Sequence, residues 1–274
     1  MTISSIGDLA QSTSMRRHNA DLRSDFQRLT KEIATGHHHD LTDAVQGGFR
    51  PLAGLEASLT RLSGYEQSSQ QAVLLTDGLQ AVLEQVNTRS SEMAPRLLSS
   101  ANSGNAKLLS ASSQAAEAEF ASVVSALNTQ IAGRTLLAGE DIDTKPLSPA
   151  ADIMTAAKAA VVGLTTAADI STTLETWFQT GGAFETNHYQ GATVPASALV
   201  VGEGVLVSES LTAIDGDIKE TLRGFVMAAI VSENSNGLAD SERATLAATS
   251  AETLIGANAK LIEQQGRIGT NQAQ

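Results

Sequence analysis

Apolar residues recur at alternating three- and four-residue steps at both ends of this chain, and not in its middle. Near the start, Met15, Asn19, Leu22, Phe26, Leu29 and Ile33 fall on one seam. Towards the finish, Ala247, Ala251, Leu254, Asn258, Leu261, Gln265 and Ile268 fall on another. Such spacing places each set on one narrow stripe, the face a helix presents when it winds against another helix. A chain with a coil-forming segment at each extremity is expected to make a rod that folds back on itself and joins others in an assembly. The same stripes would also serve as the core of a monomeric bundle, since any helical protein shows amphipathic faces. Two features favour assembly. Polar Asn19, Asn258 and Gln265 weaken the seams yet can fix register between particular partners, and the second seam is still running where the sequence reaches Gln274.

Composition narrows the partners. Hydrophobic residues make up 42% but aromatics only 3%, so Ala, Leu, Val, Ser and Thr must carry the packing. Small side chains suit closely approaching helices in thin bundles. The net charge of −12, from 18 basic and 30 acidic residues, repels phosphate, and neither nucleic acid nor anionic membrane is expected as a partner. With no cysteine there is no disulfide framework, no Cys-ligated metal and no thiol nucleophile. The opening MTISSIGDLAQSTSMRRHN lacks a basic segment followed by an apolar run, so no Sec-type signal is expected. The most apolar stretch, Gly224 to Val231, is far short of the ~18 residues a membrane span needs. A soluble chain is expected, exported without a cleaved signal if it leaves the cell.

Local signals order the elements. A first helix over about 14–34 should end at Gly36, and GHHHDLTDAVQGG reads as a loop. Pro51 suits an early position of a long second helix. Its stripe of Leu55, Leu59 and Leu62 continues with Leu75, Leu79, Val82, Val86 and Met93 after a phase slip, so it should meet more than one neighbour. Pro95 is expected to bend or end that helix, and SANSGNA (100–106) is a turn by composition. A third helix over 107–132 should lie antiparallel to the second across that short turn. From Gly133 the pattern changes: GRTLLAGEDIDTKPL reads as short extended pieces, 149–178 leans helical, and AFETNHYQ has strand composition. ALVV and VLVS around Gly202-Glu203-Gly204 look like a hairpin. Helical pattern returns with Ile214, Ile218, Leu222, Phe225, Val226 and Ile230, and Asp240 or Ser241 suits the cap of a final helix. The expected fold is mainly α: an elongated antiparallel bundle or coiled coil of the N- and C-terminal segments, with a small α+β insert. Its domains would be an arm and loop over 1–50, a discontinuous helical rod over 51–134 and 211–274, and an insert over 135–210 projecting outward.

Chemistry is hard to find. His37, His38 and His39 are consecutive, point in different directions and have no further ligand at metal spacing. His188 and Tyr189 stand alone. Glu140, Asp141 and Asp143 crowd one turn, but not with the spacing of a calcium loop. No phosphate-binding glycine loop and no G-x-S-x-G nucleophile setting occurs. No enzyme, metal or cofactor is expected.

The stretch from Leu83 to Pro146 carries a resemblance. LEQVNTRSSEMAPRLLSSANSGNA followed by LNTQIAGRTLLAGEDIDTKP resembles the flagellin family, with its long helix, SANS-like turn, antiparallel helix and N…GR-x-L-x-AG…D-x-x-P passage into a variable insert. Gly133-Arg134-Thr135-Leu136-Leu137-Ala138-Gly139 with Asp143 and Pro146 looks most like members at the hook–filament junction. LRSDFQRLTKEIATG (22–36) is similar to the family's first coil, and TAIDGDIKETLRGFVMAAI (212–230) to its return helix. The chain departs after Gly36, where HHHDLTDAVQGG stands in place of the basic residue and A-K-D-D-A-A-G-like stretch usual in filament subunits. The family's terminal helix would follow Gln274, so either a truncated form or a naturally short chain is expected.

The resemblance implies a structural protein of the bacterial flagellum joining hook to filament, extracellular and exported unfolded through the flagellar type III channel. Its implied partners are copies of itself in a ring or tube, a neighbouring hook-associated protein, filament flagellin and an export chaperone. Leu22, Phe26, Leu29 and Ile33 in one arm, with Leu254, Leu261 and Ile268 in the other, are the expected assembly contacts. Alternatives are filament flagellin and, more distantly, a cytoplasmic coiled-coil signalling or chaperone-type protein.

Overall fold

The structure is a computed structural model that describes residues 4–38, 49–207, 211–232 and 237–272. It is mainly helical, in the order α1 (Ser4–Thr35), α2 (Phe49–Asn102), α3 (Ala106–Leu127), β1 (Gln130–Ile131), β2 (Arg134–Thr135), α4 (Ala150–Ala160), α5 (Ala167–Phe178), α6 (Ala183–His188), β3 (Leu199–Gly202), β4 (Val205–Val207), α7 (Gly216–Ile230) and α8 (Asp240–Gln272). The chain divides into two compact units, Met1–Ser63 and Gly64–Gln274.

The first unit contains α1 and the opening turns of α2. Gly36 ends α1 as its sequence implied: it adopts φ +69° and donates to the Glu32 carbonyl at 2.8 Å, a left-handed stop that a Cβ would strain. Within α1, Ser12, Thr13, Thr30 and Thr35 return hydrogen bonds to carbonyls three or four residues back. Arg28 pairs with Asp25 and Glu32 one turn away on either side.

The second unit is built around α7, in which every residue from Phe225 through Ile230 is fully enclosed, as is Val231 just beyond it. This follows from a sequence apolar all round, which a helix tolerates only in an interior. Helices α3, α5 and α8 surround it. Gly224 lets α8 come close: a Cβ there would stand 2.7 Å from Leu254 Cδ2, and Ser250 Oγ donates to the Gly224 carbonyl at 2.7 Å. The end of α7 is satisfied from two other helices, as a buried terminus requires. Ser113 Oγ lies 2.7 Å and 2.8 Å from the Ala228 and Ala229 carbonyls and accepts from Ser232 N. Arg243 Nε donates to the Val231 carbonyl at 2.7 Å, placing a cation where the helix dipole favours one.

Helices α2 and α3 form the expected antiparallel pair. Gly104 turns the chain at φ +63°, and the Asn105 side chain caps α3 by accepting from Lys107 N and Leu108 N. Arg89 and Glu119, almost equidistant from that turn, pair across the hairpin. Pro95, however, neither ends α2 nor divides it. Its own position is exposed, while Met93, Ala94 and Leu97 around it are buried, so packing on the inner face outweighs one missing backbone bond.

Three other expectations change. The third helix stops at Leu127, not near 132, because the Asn128 side chain turns aside to pair with both backbone groups of Leu147, at 3.0 Å and 2.9 Å. The next residues make a tight hairpin with positive φ at both Ala132 and Gly133, the primed geometry that suits twisted strands. AFETNHYQ is helix α6, not strand, and only Tyr189 bridges in extended form, to Leu147. Its helix is fixed by Phe184, fully buried among Trp177 and Phe178 at centroid distances of 5.6 Å and 4.7 Å. The hairpin around Gly202–Gly204 forms as expected, with an irregularity between Val200 and Gly202.

Residues 150–188 do not stand apart as a projecting insert. Ile153 of α4 and Ile170 and Leu174 of α5 belong to the same apolar core as α3, α7 and α8. Polar ties cross the boundary too: Lys158–Glu117 at 3.0 Å, Glu242 Oε2 accepting from Ala167 N at 2.7 Å, and the buried Lys219 against Glu185 at 3.3 Å. A periodicity search cannot see this, because each of these helices is short.

His188 supplies a pH signature. It shares a hydrogen bond of 3.0 Å between its Nδ1 and Ser148 Oγ, and its ring lies 5.6 Å from Trp177. Burial pushes its pKa down, and the Asp152 charge pulls it partly back. The unfolded chain therefore takes up this proton first as pH falls through about 6.5, so the stabilisation is full above that value and is lost on acidification. Urea midpoints measured from pH 7.5 to 5 should fall more steeply for the native chain than for His188→Gln.

Candidate assembly surface

The two seams are in opposite states. Along α1 every described side chain from Gly7 onward is exposed except the half-buried Glu32. Met15, Leu22, Phe26, Leu29 and Ile33 are 49% to 84% exposed, and Asn19 lies open among them. Early in α2, Leu55, Leu59 and Leu62 repeat the pattern, each more than half exposed. Scattered exposed leucines mean little, but runs of large apolar side chains at helix-seam spacing are characteristic of contact surfaces.

The α8 seam is closed. Leu254 and Leu261 are wholly buried and Ile268 nearly so, within the core of the second unit. Its polar members find partners there. Asn258 Nδ2 donates to the Asn87 carbonyl at 2.9 Å, Asn87 Nδ2 to Gln265 Oε1 at 2.7 Å, and Gln265 Nε2 to the Gln80 carbonyl at 3.4 Å. As numbering rises on α8 it falls on α2, so these bonds set an antiparallel register between the two helices. Asn258 and Gln265 thus set register inside one unit, against α2, and do not favour assembly as expected. Leu254, Leu261 and Ile268 are core residues here and require no neighbouring molecule to be covered, which corrects their expected part in a coil between arms.

Sequence reasoning missed a second stripe on α8. Ile255 and Ile262 point away from the core, 51% and 54% exposed. Their seven-residue spacing was legible, but it runs beside the stronger seam and was hidden by it.

The histidine and acidic candidates do not assemble into sites. His37 and His38 are exposed beyond α1, with His38 Nδ1 3.5 Å from Glu32 Oε2, and His39 lies outside the described residues. Asp141 and Asp143 are in an exposed turn whose neighbouring carbonyls accept from Thr135. Among the described residues no three His, Asp or Glu side chains come together as metal ligands would, and no helix is long and apolar enough to cross a membrane. Ser148 and His188 meet, but Ser148 is buried and the pair faces an aromatic cluster, which suits packing and not attack on a substrate.

No family model matches the chain, and no curated protein does. Among solved structures it is similar to one from Vibrio parahaemolyticus described as a "putative flagellar hook-associated protein", at 14% identity and a TM-score of 0.48, over 86% of this chain and 92% of that one. At this identity and score the likeness carries no functional argument.

Proposed function

We propose that this protein is a non-catalytic structural component of the bacterial flagellum, joining hook to filament through helical packing of its terminal segments. The observation that carries the reading is the bare seam of α1, whose five large apolar side chains face solvent while the second unit has a finished core of its own. Surface of this kind is stabilised only when something covers it. At ~25 cal/mol per Å² of apolar area, five such side chains represent several kcal/mol. The resemblance of Leu83–Pro146 and of 22–36 to the flagellin family supplies the identity of the assembly. Subunits would be exported unfolded and gain their arm contacts on joining the axial structure, where coupled ordering and burial make assembly specific.

The test is antibody labelling of isolated flagella. Label confined to a band where hook meets filament is the expected result. Label along the whole filament would make the protein a filament subunit, and label found only in the cytoplasm would replace the reading with that of a soluble coiled-coil partner.

A further inference from the structure

We infer that the outer ridge of α8 is the docking surface for α1 of a second copy of this chain, packed antiparallel; the inference rests on the assembly reading above. Both faces are bare. Met15 and Leu22 are 62% and 54% exposed, and so to a similar degree are Ile255 and Ile262. Each pair is separated by seven residues, about 10.5 Å along a helix, so one register seats both contacts: Leu22 against Ile255 and Met15 against Ile262. Between the two isoleucines the ridge carries the small, exposed Ala259, which lets another backbone come close.

Charge selects the occupant and its direction. At about 100° per residue, Arg16 and Arg23 lie on one flank of the α1 seam, and Glu252 and Glu263 lie on the flank of the same hand on the α8 ridge. All four are exposed, and none makes a hydrogen bond or ion pair among the described residues. Flanks of the same hand meet when two helices pack antiparallel, whereas a parallel pair brings opposite flanks together. The register that seats the apolar contacts then brings Arg23 within reach of Glu252, and Arg16 within reach of Glu263. Two copies of α1 packed antiparallel would instead set arginine against arginine, so the acidic ridge of α8 is the better complement. The basic arm stands out in a chain whose net charge is −12: α1 itself has five basic and four acidic residues.

The absence of native cysteine makes the test direct. Full-length Leu22→Cys and Ile255→Cys chains, carrying tags of different size, are mixed and oxidised. The expected product is a mixed disulfide dimer, formed well above the level given by Leu22→Cys with a cysteine at the exposed Glu203 of the β3–β4 turn. Arg23→Glu should suppress it severalfold and Glu252→Arg in the partner should restore it, an exchange that loss of folding would not produce. Homodimers of Leu22→Cys in excess of the mixed product, or ring closure within one chain carrying both cysteines at high dilution, would overturn the proposal. Its failure is separable from that of the flagellar reading. Absent cross-linking with correct flagellar labelling removes only the docking mode, while strong cross-linking with cytoplasmic label removes only the flagellar role.

Discussion

Leu261→Asp is expected to abolish the cooperative unfolding transition of the second unit at ordinary temperature. Leu261 is completely enclosed in a core shared by α8, α7 and α2. Removing its side chain alone costs about 2–5 kcal/mol, as large-to-small core substitutions do. The carboxylate adds a further cost, because it must either ionise in an apolar interior or be protonated to enter it. Against a typical total of about 5–15 kcal/mol that sum is ruinous. Far-ultraviolet circular dichroism during heating is the measurement, and Leu261→Met, which conserves volume, should cost less than about 1.5 kcal/mol. A Leu261→Asp chain that melted sharply near the native temperature would show that α8 is not held where the structure has it.

The same substitution one seam away should do the opposite. Leu29→Asp alters a side chain that is 49% exposed on α1, so its effect on the melting transition should stay within about 0.5 kcal/mol, as for ordinary surface changes. Its effect on assembly should be total. A carboxylate in the middle of a seam that must be desolvated on docking leaves an uncompensated charge, a penalty of several kcal/mol at the interface. The chain should be made normally and be missing from the flagellum, as read by immunoblot of sheared appendages and by swimming. Motile cells with normal filaments containing the variant would refute the part given to α1. The pair of results, one chain that cannot fold and one that folds but cannot join, separates the two seams by experiment.

Much of this division was visible in the residues, and the reason for what was not is physical. The long helices announced themselves because a stripe repeated over several turns fits an amphipathic helix and little else; α1, α2, α3, α7 and α8 all follow such runs. Glycine marked the stop of α1 and the turn between α2 and α3 in a similar way, since positive φ admits few other residues. Errors fell where local preference was overruled by contact at a distance. Pro95 does not end α2, because buried neighbours hold the helix through it. Phe184 makes AFETNH helical by plugging an aromatic cluster whose other members lie in α5. Asn128 ends α3 for the sake of Leu147. None of these partners is a sequence neighbour. Most consequential, two seams of equal periodicity differ in state, because spacing reveals a stripe and not what covers it. The amides Asn258 and Gln265 were recognised as register-setting, but their partners Asn87 and Gln80 lie more than 170 residues away.

The manner in which α7 is finished has a consequence for timing. Its last carbonyls wait on a hydroxyl from residue 113 and a guanidinium from residue 243, and its sides wait on α3, α5 and α8. A nascent chain therefore cannot close the end of α7 until Arg243, at the start of α8, has followed it. The tie from Ser113 to the Ala228 carbonyl spans 115 residues, and closing so long a loop slows folding more than pairing adjacent helices does.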